Sequence, residues 1–232
     1  MSEVSQISKK RLLELNCVLG CDVSRYQENI DWSKAKTDGI EFAFLKLTEG
    51  TTGSEDAIYN IKNRALEIKK NGIKLGYYHF CRPGNIQNPD DDAKDEVLNI
   101  LNHLKIMPKN DLPIVLDIEA YSTQNIWTDK INHMNQYIST FISELKKYNI
   151  DIILYSYKSF IDINSDHIFG NNFLWIASYL SNVENSLPSI PLGWTNWNIW
   201  QFTSKGKVNC YSSDIDLNIM KIDFFQKYNI IN

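Results

Sequence analysis

The sequence predicts an α/β protein, an irregular TIM-like β/α barrel of about five β/α units followed by loop-linked strands. Three observations carry this expectation. Short apolar runs bounded by turn residues recur along the chain, and amphipathic helical stripes separate the early runs but not the late ones. The length of 232 residues falls short of the roughly 250 that a complete eight-unit barrel uses. With 43% hydrophobic residues, the chain can still bury one large core.

Residues 1 to 16 begin with a polar stretch and are expected to be an N-terminal extension outside the barrel, with a short helix through Leu12, Leu13 and Leu15. The barrel domain is expected over residues 17 to 232. Its first two strands are read at Val18 to Val23 and Ile40 to Leu47. Ile58, Ile61, Ala65 and Ile68 then share a helical face, and Asn71-Gly72 supplies a left-handed cap that ends it. A third strand, Ile73 to Phe80, precedes a helix carrying Ala93, Val97, Ile100, Leu101 and Leu104, closed off by Pro108. The fourth strand is Pro113 to Ile118. The longest stripe follows, through Trp127, Ile131, Met134, Ile138, Phe141, Leu145 and Tyr148, before strands at Asp151 to Ser156 and Phe173 to Ala177. Alternating strands and helices imply parallel pairing with right-handed crossovers.

The alternation then stops. The segment from Ala177 to Ile199 contains Pro188, Pro191 and Gly193 without a helical stripe, and that from Phe202 to Ile215 is short and polar around Gly206. Parallel neighbours need a crossover of about a dozen residues or more, usually helical. The last runs, Ile199 to Phe202 and Ile215 to Ile219, are therefore expected to be joined by loops, with room for an antiparallel member.

Composition excludes several classes. A formal net charge of −4, with 28 acidic residues, leaves no basic face for nucleic acid. No apolar stretch approaches the roughly 20 residues that span a bilayer, and Met1 to Lys10 lacks the hydrophobic centre of a secretory signal. Neither a membrane nor a nucleic acid is expected as a partner, and the working unit is expected to be a monomer. Cys17, Cys21, Cys81 and Cys210 show no zinc spacing and are read as buried filler, while the four histidines at 79, 103, 133 and 167 are scattered. No metal or cofactor is expected. Glu49-Gly50-Thr51-Thr52-Gly53 lacks the spacing and lysine of a P-loop, and no Gly-x-Ser-x-Gly elbow exists.

The chemistry points to acids. Asp117 and Glu119 stand two residues apart in Leu116-Asp117-Ile118-Glu119, at the end of an apolar strand, so strand alternation sends both to one face. Carboxylates that share a site raise each other's cost of ionisation, which can leave one protonated and one charged. Asp22 ends the first strand and Asp216 lies in the last. Strands one and eight are neighbours when a barrel closes, so these two should meet although nearly the whole chain separates them. An isolated Asp after a strand more often caps a helix or orders a turn, whereas two acids on an inward strand face carry a desolvation cost that argues for a use. Aromatic residues cluster at strand ends: Tyr78 and Phe80, Tyr155 and Tyr157, Trp175 and Tyr179, and Trp194, Trp197 and Trp200. They could pack on sugar rings or belong to the core, and the loop residues Trp194 and Trp197 are the hardest to assign to the core. His79, next to Tyr78, should face away from the pocket.

In order, Gly20-Cys21-Asp22-Val23-Ser24-x-x-Gln27, Phe44-Leu45-Lys46-Leu47-Thr48-Glu49-Gly50, Gly76-Tyr77-Tyr78-His79-Phe80, Leu116-Asp117-Ile118-Glu119, Leu154-Tyr155-Ser156-Tyr157, Leu174-Trp175-Ile176-Ala177, Trp200-Gln201-Phe202 and Asp216-Leu217-Asn218 resemble glycoside hydrolase family 25, the Chalaropsis-type lysozymes. The resemblance runs from about residue 18 to the C-terminus. It implies a barrel of five β/α units with loop-linked strands, and hydrolysis of the β-1,4 bond between N-acetylmuramic acid and N-acetylglucosamine in bacterial peptidoglycan with net retention. By position, it makes Glu119 the general acid and Asp117, Asp22 and Asp216 the other pocket carboxylates, with Lys46, Tyr78, Tyr155, Trp175 and Gln201 around the substrate. It leaves Asp117 either to orient the substrate's acetamido group for internal attack or to stabilise the oxocarbenium-like state directly. A chitinase-like hydrolase and a non-catalytic wall-binding barrel are the alternatives. The expected route is synthesis in the cytoplasm and release to the cell wall, as for a phage endolysin or a product of a specialised secretion route.

Overall fold

The computed structural model describes residues 6–51 and 57–228. Helix α1 (Lys9–Leu15) leads into an eight-stranded closed barrel whose strands are adjacent in chain order. The sequence runs β1 (Cys17–Val23), α2 (Trp32–Thr37), β2 (Ile40–Glu49), α3 (Ile58–Lys70), β3 (Lys74–Phe80), α4 (Pro89–Leu104), β4 (Ile114–Asp117), α5 (Lys130–Lys146), β5 (Ile152–Tyr157), α6 (Lys158–Asn164), β6 (Phe173–Ala177), β7 (Ile199–Val208), β8 (Tyr211–Lys221) and α7 (Ile222–Lys227). Five β/α units are followed by strands without intervening helices, as expected.

Strands β1 to β7 are parallel, and β8 runs antiparallel to both β7 and β1, closing the barrel. Two expectations are corrected here. The helix-free segment between β6 and β7 does connect parallel strands, because its length lets an irregular chain make the crossover that a helix makes elsewhere. The polar segment from Phe202 to Ile215 is a long β-hairpin rather than a loop, with Val208 paired to Tyr211 across its tip. Gly206 permits this pairing, since a Cβ there would lie 2.4 Å from Leu217 Cγ and 2.6 Å from the Ile215 carbonyl oxygen.

Period-two alternation divides the strand residues into two cores. Phe42, Phe44, Val115, Ile153, Tyr155, Trp175, Ile199 and Met220 fill the barrel interior. Their sequence neighbours, such as Ala43, Leu45, Leu116, Leu154 and Ile176, join the helices in the outer core. The interior admits two phenylalanines from β2 because the adjacent strands carry glycine opposite them. A Cβ on Gly20 would stand 2.4 Å from the Phe42 ring, and one on Gly76 would stand 2.2 Å from Phe44. The bottom of the barrel is thereby plugged, leaving its C-terminal end open to side chains of another kind.

Helix α1 packs Leu12 and Leu15, with Ile7 ahead of it, on the outer core. Asp31 and Asp129 cap α2 and α5 by accepting backbone N–H bonds, and three aspartates occupy the first turn of α4, where they favour the helix dipole. Trp127 and Tyr148, read as parts of the long helix, lie just outside α5, and Trp127 packs edge-on against Tyr137. Trp194 and Trp197, the hardest to assign from sequence, are buried in the outer core. The Trp194 indole donates to the Asn172 carbonyl at 2.9 Å, and Trp197 lies under the Lys221 ammonium. All four cysteines are free and buried.

Candidate active site

The inward residues at the C-terminal ends of the strands converge on one pocket of about 250 Å3. Asp22, Lys46, Tyr78, Asp117, Glu119, Tyr155, Trp175, Gln201 and Asp216 all line it, together with Ser24, Tyr26, Phe80, Val115 and Tyr179. Asp22 and Asp216 are direct cross-strand partners in the β1–β8 pair. A cavity of about 320 Å3 beneath α1 is slightly larger, but it contains one carboxylate, Asp38, and otherwise reads as the seam beside that helix.

One detail of the acid pair differs from expectation. Strand β4 ends at Asp117, so Glu119 lies beyond it rather than on it. Alternation nonetheless persists, because the chain stays tied to β5: the Ile118 N–H donates to the Tyr155 carbonyl at 2.9 Å and Ser156 Oγ donates to the Ile118 carbonyl at 2.6 Å. Ile118 is thus pinned outward into the core. Asp117 and Glu119 face the pocket on either side of it.

A hydrogen-bonded chain crosses the pocket floor. Asp22 Oδ2 accepts from Gln201 Nε2 at 2.8 Å and from Asn218 Nδ2 at 2.7 Å. Those bonds fix both amides: Gln201 Oε1 accepts from the hydroxyls of Tyr155 at 2.8 Å and Tyr179 at 2.7 Å, and Asn218 Oδ1 accepts from the Trp175 indole at 3.0 Å. Trp175 is held further by tilted contact with Phe44 and edge contact with Tyr155. Asn218 thereby joins the pocket wall, although it is not among the expected site residues. Its signal was a buried amide on the inward face of β8 between two apolar outward residues, Leu217 and Ile219.

Burial dominates the electrostatics. It pushes Asp22 up to about 6 against the two amide hydrogen bonds. Asp117 is raised well above the ordinary carboxylate range by burial and by the charges of Glu119 and Asp22, with Lys46 opposing. Glu119 is raised by burial and Asp22, against a hydrogen bond from Tyr155 and the charge of Lys46. The pocket therefore retains protons that exposed carboxylates would release. Asp117 Oδ1 is also buried without a hydrogen-bond partner.

Behind this wall, on the outer face of β3, His79 bridges Thr48 Oγ1 at 2.8 Å and Glu96 Oε2 at 2.6 Å. It faces away from the pocket, as expected. Among the described residues, His79, Cys81 and Glu96 are the three potential metal ligands whose donor atoms gather within 4.8 Å. The His79–Glu96 separation is a hydrogen bond, and His79 uses its other ring nitrogen toward Thr48, so the arrangement is that of a satisfied structural pair. Nearby Asp92 is raised to about 7 by burial and Glu96, with one oxygen unpartnered and the other accepting from Gly84 and Asn85. Because its folded pKa exceeds the unfolded one, this group draws stability away as pH rises from about 4 through 7. Asp92→Asn is accordingly expected to raise the melting temperature at pH 8 and to change it little at pH 4, which thermal unfolding at the two pH values measures.

A β/α barrel whose mouth gathers buried, proton-retaining carboxylates among aromatic rings is built as a glycoside hydrolase. Comparison with known proteins agrees. The family model for glycosyl hydrolases family 25 matches residues 21–210, and the chain belongs to that family. It is 30% identical over 206 residues to Lysozyme M1 of Streptomyces globisporus, covering 87% of this chain and 67% of that protein. It is 26% identical over 199 residues to the autolytic lysozyme of Clostridium acetobutylicum, covering 86% of this chain and 54% of that one. The chain thus spans about half to two thirds of these relatives. The structure of a family 25 glycosyl hydrolase from Bacillus anthracis superposes with a TM-score of 0.76 at 24% identity, covering 99% of this chain and all of that one, which shows the shared fold.

Proposed function

We propose that the protein is a 1,4-β-N-acetylmuramidase that cleaves the bond between N-acetylmuramic acid and N-acetylglucosamine in bacterial peptidoglycan. Residues 17 to 232 are the catalytic domain and residues 1 to 16 an extension, of which Ile7, Leu12 and Leu15 pack on the outer core. The observation that carries the reading is the convergence of Asp117, Glu119, Asp22 and Asp216 in one aromatic pocket. Glu119, partly exposed and held above its ordinary pKa, donates a proton to the leaving oxygen and then acts as base toward water.

Asp117 acts on the acetamido group. Its carboxyl lines the pocket, and a hydrogen bond from the acetamide N–H would favour the charged carboxylate as the acetamide oxygen attacks the anomeric carbon. Attack by the substrate's own group, followed by water, gives net retention. Asp22 and Asp216 balance charge, Trp175 and Tyr78 line the sugar site, and the Gln201–Tyr155–Tyr179 cluster reads polar substituents.

The pocket draws its carboxylates from the strand ends of a single closed barrel, which supports a monomeric working unit. Among the described residues, no helix is long and apolar enough to cross a membrane. The enzyme works on the cell wall after release from the cell that makes it. Digestion of purified peptidoglycan followed by mass analysis tests the reading: fragments with a reducing N-acetylmuramic acid end are expected. Reducing N-acetylglucosamine ends, faster turnover of chitin oligomers, or binding without cleavage would each overturn it.

A further inference from the structure

The rim of the pocket carries an ion-paired arm that the proposed acid–base roles do not use. Lys46 enters the pocket from β2 and pairs with Glu49 three residues later, at the end of the same strand. Glu49 is also gripped by Arg82, whose Nε donates to Oε1 at 2.7 Å and whose terminal nitrogen contacts the same oxygen. Both cations lie against one ring, with Lys46 Nζ 4.9 Å and Arg82 Cζ 4.5 Å from the centre of Phe80.

The base of the arm is fixed by buried groups. The Arg82 backbone N–H donates to both oxygens of Glu96 at 3.2 Å, and the preceding N–H, of Cys81, donates to the Asp117 carbonyl at 2.9 Å. Glu96 is itself held by His79. A continuous set of contacts therefore runs from the core behind β3, through Arg82 and Glu49, to the ammonium at the pocket mouth.

We propose that Glu49, clamped by Arg82, is a positioning residue that holds the Lys46 ammonium beside the Asp117–Glu119 pair and so sets the pH range of catalysis. A long lysine side chain would otherwise spend its time in solvent, where its charge is screened. Lys46 lowers the proton affinity of both acids, and Glu49 is kept ionised as Lys46 and Arg82 outweigh its burial. The other titratable groups lining the pocket with this arm are Asp22 on β1, Tyr26 after β1, Tyr78 on β3, Tyr155 on β5, Tyr179 after β6 and Asp216 on β8. Asp22 raises the acids as Lys46 lowers them, so the pH range reflects their balance.

Charge and position predict opposite signs. Glu49→Gln removes an anion that opposes ionisation of Asp117. If charge were the whole effect, the pH profile of kcat/KM on soluble peptidoglycan fragments would move to lower pH. If Glu49 positions Lys46, its loss releases the cation, and the profile should move to higher pH by about 0.5 to 1 unit, in the direction given by Lys46→Met. Glu49→Asp retains the charge on a shorter arm. It should also move the profile upward, whereas a charge effect alone would leave it in place.

Circular dichroism establishes that each variant is folded, and if Glu49→Gln is not, Glu49→Asp decides. A downward shift in Glu49→Gln, an unmoved profile in Glu49→Asp, or an unmoved profile in Lys46→Met would overturn the proposal. The inference rests on the assignment of Glu119 as the acid, but the two fail separately: an active Glu119→Gln protein refutes the assignment, and a downward shift with Glu119→Gln inactive refutes the positioning role.

Discussion

Purified Glu119→Gln protein is expected to lose between about 100-fold and 10,000-fold of its turnover of peptidoglycan while remaining folded. Glutamine matches the shape of the side chain, but its amide is far too weak an acid to protonate the leaving oxygen. Burial and Asp22 raise the acid in the native pocket, so replacement by a neutral amide should leave the melting temperature unchanged or slightly higher at neutral pH. The combination of a dead enzyme with an intact or firmer fold separates a catalytic loss from a structural one. Turbidity clearance of cell walls, paired with thermal unfolding, measures both. Clearance at close to the normal rate would remove Glu119 from its role.

The acid pair was legible because alternation along a chain is a local property. Asp117, Ile118 and Glu119 keep their faces even where strand hydrogen bonding ends, since Ile118 remains bonded to β5. The meeting of Asp22 and Asp216 was legible for a topological reason: closure of a barrel makes its first and last strands neighbours, whatever joins them. What stayed hidden depended on partners distant in sequence. Trp194 and Trp197 look the same in a sequence whether they stack on a sugar or fill a seam, and only the carbonyl of Asn172 and the ammonium of Lys221 decide for the seam. Helices α2, α6 and α7 have six or seven residues, too few turns for a 3.6-residue period to stand out. The outer part of the β7–β8 hairpin looks like a loop in the sequence because its residues, including Ser204, Lys205 and Lys207, are polar and turn-like, while the pairing that extends it is visible only across the two strands. Asn218 shares that limit, since an inward amide acquires meaning only once Asp22 and Trp175 are found at its two ends.

Asp117→Asn should cost at least about 100-fold in kcat on peptidoglycan, and the loss should differ in kind from that of Glu119→Gln. An aryl glycoside with a good leaving group needs little protonation as its bond breaks. On such a substrate Glu119→Gln should recover much of its first-step rate. Asp117→Asn should not recover, because its defect lies in activating the acetamide and in stabilising positive charge, which the leaving group does not relieve. A second comparison separates the two tasks. Fluorination of the acetyl methyl group weakens the acetamide oxygen as a nucleophile, so wild-type turnover should fall steeply with each added fluorine if that oxygen attacks the anomeric carbon. In Asp117→Asn this dependence should persist on a lower baseline, since the carboxylate assists attack by the acetamide without replacing it as the nucleophile. A wild-type rate indifferent to fluorination would instead make a protein carboxylate the nucleophile or direct stabiliser. The placing of Asp117 and Glu119 at one strand end, on one side of the pocket, favours the acetamido route, which needs only an Asp beside the acetamido group and no nucleophile set across the sugar from the acid.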